Sequence, residues 1–246
     1  MRALLPRAAD DVDLVTAYAL PPTLPERRPF VRCNMISSLD GAVTIAGRSG
    51  MLGGPGDRRV FAVLRSLADV VLVGAVTARA ESYGPVRLDA DLVGRRRAEG
   101  RPDVPPIAVV TRSCNFDWSA PFFTEATERP LVVTTEDAEP GGLARAAEVA
   151  QVVVSGRRQV DLGLALARLH ESGHRTVLVE GGPGINAQLV RGGLVDELCL
   201  TLAPRLVAGR GPRILSGDEL DRPLDLEVLH LLEEDDFLFY RLLVRR

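Results

Sequence analysis

Short apolar runs recur along the chain, separated by stretches with a helical repeat. FVRCNMIS (30–37), DVVLVGAV (69–76), PIAVVT (106–111), LVVTT (131–135), VVVSG (152–156), TVLVEGG (176–182) and ELCLTLAP (197–204) each read as a strand. The continuous apolar character of 69–76 and 176–182 is that of central strands buried on both faces. Between the strands, DRRVFAVLRSLA (57–68) places Val60, Leu64 and Leu67 on one helical face. DLGLALARLHESG (161–173) is amphipathic and stops at a glycine. PGINAQLVRGG (183–193) opens with proline in its first turn and closes with Gly193, the asymmetry expected of a helix. LEVLHLLEEDDFLFYRLLVRR (226–246) reads as a hairpin with Glu234-Asp235-Asp236 near its turn. Strands alternating with helices, then antiparallel pieces, predict an α/β fold with a mostly parallel sheet and an antiparallel C-terminal edge.

Residues 1–29 read as a lead-in, because Pro21, Pro22, Pro25 and Pro29 interrupt regular structure. No composition break or internal repeat divides residues 30–246, which are expected to form a single domain. Residues 84–105 carry Gly, Pro and the triplet Arg95–Arg97. The triplet reads as a solvated loop or helix face, with a phosphate contact as the alternative.

Composition narrows the chemistry. At 246 residues the chain buries a core without staples, and 46% hydrophobic with 26% charged residues is ordinary for a globular protein. All 30 basic residues are arginine. With no lysine, a Schiff-base, pyridoxal-phosphate or P-loop mechanism is excluded. A net charge of −3 and 4% aromatic residues argue against a nucleic-acid partner. Cys33, Cys114 and Cys199 are far apart and read as small buried hydrophobes. HESGH (170–174) has the HExxH spacing, but the helix stops at Gly173, ahead of the second histidine, so the pair does not share one helical face and no metal is expected. An N-terminus without an apolar signal core, and no run approaching the ~20 residues of a membrane span, give the expectation of a cytoplasmic protein without a membrane partner.

Ligands of open α/β sheets bind beyond the carboxyl ends of the strands. Four such ends carry small or polar residues: SSLDG (37–41), GAVT (74–77), TRS (111–113) and EGGPGIN (180–186). The last has the clearest physics. Gly181 and Gly182 admit a ligand close to the backbone, and a helix then begins with unpaired N–H groups and a positive dipole end. That arrangement suits a pyrophosphate, although the GxGxxG spacing is absent. Thr77 offers its hydroxyl to a ribose or phosphate, or caps a helix. Arg65 is either a ligand contact or a dipole partner at a helix end. Glu180, a carboxylate at a buried strand end, requires hydrogen-bonding partners. Asp40 is a site residue or only the turn of LDG.

In order and in sequence, SLDG (38–41), LRSLADVVLVGAVTARAE (64–81), VLVEGGPGINAQLVRGGLVDEL (177–198) and LAPRLVAG (202–209) resemble the riboflavin-biosynthesis pyrimidine reductase family. The resemblance spans roughly residues 30–245. It implies a dihydrofolate-reductase-like fold, NADPH as cofactor, and reduction of the ribosyl group of 5-amino-6-(5-phosphoribosylamino)uracil to ribityl. By motif it assigns Ser49, Arg65 and Glu180 to the substrate, with Arg65 on its phosphate, a task suited to a guanidinium fork. Arg87 lies near a second phosphate-binding arginine of the family. Met51, Thr77, Glu81 and Ser113 match cofactor contacts, and Gly182, Pro183, Gly184, Ile185, Asn186, Ala187 and Gln188 match the stretch around the pyrophosphate. Gly74 and Gly181 flank these motifs and join the cofactor set. Arg112, beside Ser113, is expected to neutralise the 2′-phosphate. The family is commonly dimeric, and FLFYRLLV (237–244) either pairs or packs across such an interface or belongs to the core.

Two departures fall in the substrate half. Many relatives carry lysine where Asn34 stands, and an Asp-Asp-Pro run where this chain has ESYGP (81–85). They keep open a second reading, a same-fold reductase of another pterin-like substrate such as dihydrofolate. A third is a nucleotide-binding protein with little turnover. The HxE and PCxxC motifs of the zinc deaminase domain found in bifunctional relatives are absent.

Overall fold

The structure, a computed structural model, describes residues 1–245. In chain order the elements are β1 (Arg2–Leu5), α1 (Leu14–Ala17), β2 (Phe30–Ser38), α2 (Pro55–Leu67), β3 (Val70–Gly74), α3 (Ala75–Ala80), α4 (Ala90–Ala98), β4 (Ile107–Val110), α5 (Pro121–Thr124), β5 (Leu131–Thr134), α6 (Pro140–Val149), β6 (Gln151–Val154), α7 (Leu162–Glu171), β7 (Thr176–Val179), α8 (Pro183–Arg191), β8 (Glu197–Ala203), β9 (Leu226–Glu234) and β10 (Phe237–Val244). One ten-stranded sheet runs in the order β1-β9-β10-β8-β2-β7-β3-β4-β5-β6. From β8 to β6 every neighbouring pair is parallel. The β8–β10, β10–β9 and β9–β1 pairs are antiparallel. The expected α/β architecture with its antiparallel C-terminal edge is the one observed.

Both sheet faces are covered. On one, Val60, Val63 and Leu64 of α2, Leu92 of α4 and Ala146 of α6 pack on Val71, Val73, Val109 and Val132. On the other, Leu162, Ala165, Leu166 and Leu169 of α7 and Leu189 of α8 pack on Val70, Leu72, Val133 and Val177. This double coverage explains the unbroken apolar character of β3 and β7. In β8, by contrast, buried and half-buried residues alternate. All three cysteines are buried and free, and burial pushes the Cys33 thiol up to about 12. Among the described residues no helix is long and apolar enough to cross a membrane.

Three expectations need correction. Within the lead-in, residues 2–5 form an edge strand on β9, and Arg241 donates to the carbonyls of Ala17 (2.6 Å) and Ala19 (2.8 Å). Buried Tyr18 packs edge-on against His230. The four prolines do break regular structure, but only downstream of these anchors. Secondly, the arginine triplet is not a uniformly solvated face. Arg96 is 2% exposed and donates to the carbonyls of Ser66, Ala68 and Pro102. It thereby satisfies carbonyls that the end of α2 leaves without helical partners. Thirdly, β10 is hydrogen-bonded to β8 and β9 on its two edges, so its backbone has no free edge to pair with a second copy.

Candidate active site

Because β2, β3, β4 and β7 are parallel and adjacent or nearly so, the segments that follow them emerge on one side of the sheet. The tightest point is a glycine corner between β7 and α8. The Gly181–Gly182 peptide is cis, and Gly181 has φ +95°. The Gly74 N–H donates to the Gly181 carbonyl at 2.8 Å, tying the ends of β3 and β7 together. A Cβ on Gly182 would stand 2.6 Å from Thr77 Oγ1, and one on Gly74 would stand 2.9 Å from Ile185 Cδ1. Side chains at either glycine would fill the corner, so this sequence needs glycine there for space. The first turn of α8 is capped by no side chain and starts with Pro183. It thus offers its dipole end to whatever occupies the corner.

Next to the corner lies a charge cluster. Arg65, near the end of α2, meets Glu180, just past β7, through two parallel hydrogen bonds of 2.7 Å. The Tyr83 hydroxyl donates to Glu180 Oε2 at 2.7 Å. The guanidinium stacks 4.0 Å from the Phe61 ring centroid, and the Tyr83 ring lies 5.6 Å away. Burial pushes the Arg65 pKa down, but the charge and hydrogen bonds of Glu180 outweigh it, so the net shift is upward. Burial, reinforced by Glu180, raises Tyr83 well above the ordinary phenol value and keeps it a donor. Glu180 is therefore a fixed carboxylate, accepting twice at Oε2 and once at Oε1, with acceptor capacity left at Oε1.

Two cavities meet at this place. One, of about 450 Å³, is lined by Asn34, Ser49, Phe61, Tyr83, Glu81, Glu180 and Gly181 among others. The second, of about 680 Å³, runs along Gly74, Thr111, Arg112, Ser113, Gly184, Ile185 and Gln188. Val76, Thr77, Gly182 and Pro183 line both, so the glycine corner is their common wall. The first has the size of a small-molecule pocket.

Most of the expected site residues converge here, but not all. The Ser49 N–H donates to Glu81 Oε1 at 2.6 Å, so these two residues, assigned to substrate and cofactor respectively, form one unit of the smaller cavity. Arg65, expected on a phosphate, is engaged by Glu180, whose carboxylate takes the Nε–Nη2 edge of the guanidinium. Arg87 lies outside both cavities: it is exposed and paired with Glu125 at 3.0 Å. Met51 is exposed and lines neither cavity. On α8 the helical repeat divides the expected contacts. Pro183, Gly184, Ile185 and Gln188 face the cavity, whereas Asn186 and Ala187 turn into the core. Asn186 Nδ2 donates to the Ile214 carbonyl at 3.0 Å. Asp40 is structural, accepting from Ser38 and from the Val207 and Ala208 N–H groups.

Sequence reasoning missed Tyr83, Phe61, Asp57 and Arg58, all of which line the smaller cavity. Tyr83 stands inside ESYGP, a stretch noted only for what it lacks. Asp57 and Arg58 open the helical pattern of α2, where an acidic residue is already explained by the helix dipole.

Comparison with known proteins agrees with this architecture. Over 207 residues the chain is 35% identical to a Methanothermobacter thermautotrophicus protein named 2,5-diamino-6-ribosylamino-4(3H)-pyrimidinone 5′-phosphate reductase, covering 83% of this chain and 91% of that one. A crystal structure of a pyrimidine reductase-like protein from Corynebacterium diphtheriae superposes with a TM-score of 0.84 at 31% identity, covering 96% of this chain and all of that one. A Thermotoga maritima diaminohydroxyphosphoribosylaminopyrimidine deaminase/5-amino-6-(5-phosphoribosylamino)uracil reductase shares the fold, with a TM-score of 0.69 at 21% identity over 89% of this chain and 58% of that one. The dihydrofolate-reductase-like architecture expected from the motifs is thus the architecture of these reductases. With the model of the RibD C-terminal domain matching residues 29–235, the chain belongs to that family.

Proposed function

We propose that the protein is an NADPH-dependent reductase that converts the ribosyl group of a phosphorylated 6-ribosylaminopyrimidine to ribityl. The observation that carries this reading is the shared wall. A cavity suited to a dinucleotide opens, at Thr77 and Gly182, onto a second that ends in the Arg65–Glu180–Tyr83 cluster. The M. thermautotrophicus relative, named for this kind of reaction, supports it.

The residues present fit the dinucleotide. The glycine corner leaves space where any Cβ would intrude, and the uncapped start of α8 favours an anion. Arg79 and Arg112 line the larger cavity, and among the described residues no acidic one does. A ribose 2′-hydroxyl would want a carboxylate there, whereas a 2′-phosphate wants arginine, which favours NADPH over NADH. When bound, the nicotinamide supplies hydride to the sugar C1′.

The chain itself supplies position. Glu180, held by Arg65 and Tyr83, offers an acceptor edge at the junction of the cavities that can order sugar hydroxyls. Ser49 and Glu81, joined by their hydrogen bond, also line the smaller cavity. For the 5′-phosphate, Arg58 replaces the earlier candidates Arg65 and Arg87. It is exposed and lines the smaller cavity, and it has no ion pair among the described residues. The test is oxidation of NADPH in the presence of the phosphoribosylaminopyrimidine, with NADH as control. Folded protein that binds NADPH but shows no substrate-dependent oxidation would sink the reading.

A further inference from the structure

One carboxylate in the smaller cavity has no part in the chemistry above. Asp57 sits in the first turn of α2. Its Oδ2 points to Gly53, where a Cβ would stand only 2.7 Å away, so the glycine makes room for it. Thr201 of β8 supplies a side-chain hydrogen bond, and Arg58 is the nearby cation. Among the described residues no ion pair neutralises it, unlike Glu180. Burial raises its pKa, against the pull of Thr201 and Arg58. A half-buried carboxylate kept clear of arginine forks, with space made for it, has acceptor capacity left for a ligand.

Two pyrimidines are named among the similar proteins, a 2,5-diamino-4(3H)-pyrimidinone and a 5-amino-uracil. They differ at C2, which bears an amine in the first and a carbonyl in the second. The amino compound therefore presents two adjacent donors, the 2-NH2 and N3–H. Uracil presents N3–H flanked by two carbonyl acceptors. An ionised carboxylate accepts only, so it matches the first edge at two points and opposes a carbonyl oxygen on the second.

We propose that Asp57 is the specificity-determining residue of the site, selecting a 2-amino-pyrimidinone over a uracil by accepting from its 2-NH2 and N3–H. This deepens the pyrimidine reading of the cleft and rests on it.

The test compares two free bases that differ only at C2, 2,6-diamino-4(3H)-pyrimidinone and 6-aminouracil, titrated calorimetrically into protein saturated with NADP+. Wild-type protein should bind the diamino compound roughly 10- to 100-fold more tightly, as charge-assisted hydrogen bonds allow. Asp57→Asn, whose amide offers one donor and one acceptor, should remove or reverse that preference while NADP+ affinity stays unchanged. Gly53→Ala, which displaces the carboxylate without removing it, should weaken the diamino compound alone. A wild-type protein without preference, or an Asp57→Asn protein that retains it or loses both bases equally, would overturn the assignment. The reductase reading fails separately: base preference as expected, but no NADPH oxidation with either phosphoribosyl substrate, would leave Asp57 assigned and the reaction wrong.

Discussion

The two halves of the cleft are built from different materials. The larger cavity, proposed for the dinucleotide, is largely backbone: Gly74 and Gly182, the start of α8, and small residues at the ends of β3 and β4. The smaller cavity, proposed for the pyrimidine, is built with side chains from several elements, with Asp57, Phe61 and Arg65 on α2, Tyr83 after α3 and Glu180 after β7. A backbone cradle depends on the absence of atoms, so adding a side chain damages it. A side-chain cluster depends on mutual satisfaction of charges, so removing one member damages the rest.

This contrast can be broken most forcefully at Glu180. Glu180→Ala leaves the Arg65 guanidinium buried without its partner, and breaking a buried pair costs about 3–5 kcal/mol. Arg65→Ala should cost a similar amount for the mirror-image reason. The double variant should recover part of the sum, a coupling of about 0.5–3 kcal/mol in a double-mutant cycle of urea denaturation. Strict additivity would show that the pair is not a unit. Gly182→Val comes next. Its side chain displaces the Thr77 hydroxyl and fills the corner, so NADPH affinity should fall ~100-fold, about 2.7 kcal/mol. Binding of free pyrimidines should fall much less, because the corner is only one end of the smaller cavity. Equal loss of both ligands would abolish the distinction between the halves.

Smaller effects sharpen the comparison. Affinity for the 2-amino-pyrimidine needs Asp57 ionised, and burial holds its pKa above the usual carboxylate value. Base affinity should therefore fall as pH drops through that raised value, at a higher pH than an ordinary aspartate would give, and Asp57→Asn should flatten the profile. Finally, Arg58→Ala should raise KM for the phosphorylated substrate by about tenfold, in line with loss of a charge-assisted contact at an open site. Arg87→Ala, at an exposed pair with Glu125, should change KM little.

The same difference in materials governed what could be read in advance. Backbone cradles leave local signals, and EGGPGIN and GAVT gave the glycine corner and both neighbouring strands from adjacent residues. Even there the helical repeat decided more than the motif: Asn186 and Ala187 lie within the matched stretch yet face the core. Side-chain clusters leave no local signal. Arg65 and Glu180 are 115 positions apart, and nothing in either segment says that each is the other's partner. Arg96 was hidden for the same reason, because two of the carbonyls it satisfies belong to the end of a different helix. The lead-in was underestimated because a four-residue edge strand such as β1 takes its stability from β9 rather than from its own pattern.

The central claim is that the two halves work as one site across their shared wall. Its most direct test is isotopic: wild-type protein is given NADPH deuterated at the transferable C4 position together with 2,5-diamino-6-ribosylamino-4(3H)-pyrimidinone 5′-phosphate, and the product is examined by NMR and mass spectrometry. The structure predicts one deuterium at C1′ of a ribityl product, in step with NADPH oxidised. NADPH oxidation without deuterium at C1′, or no oxidation by protein that binds both ligands, would contradict it.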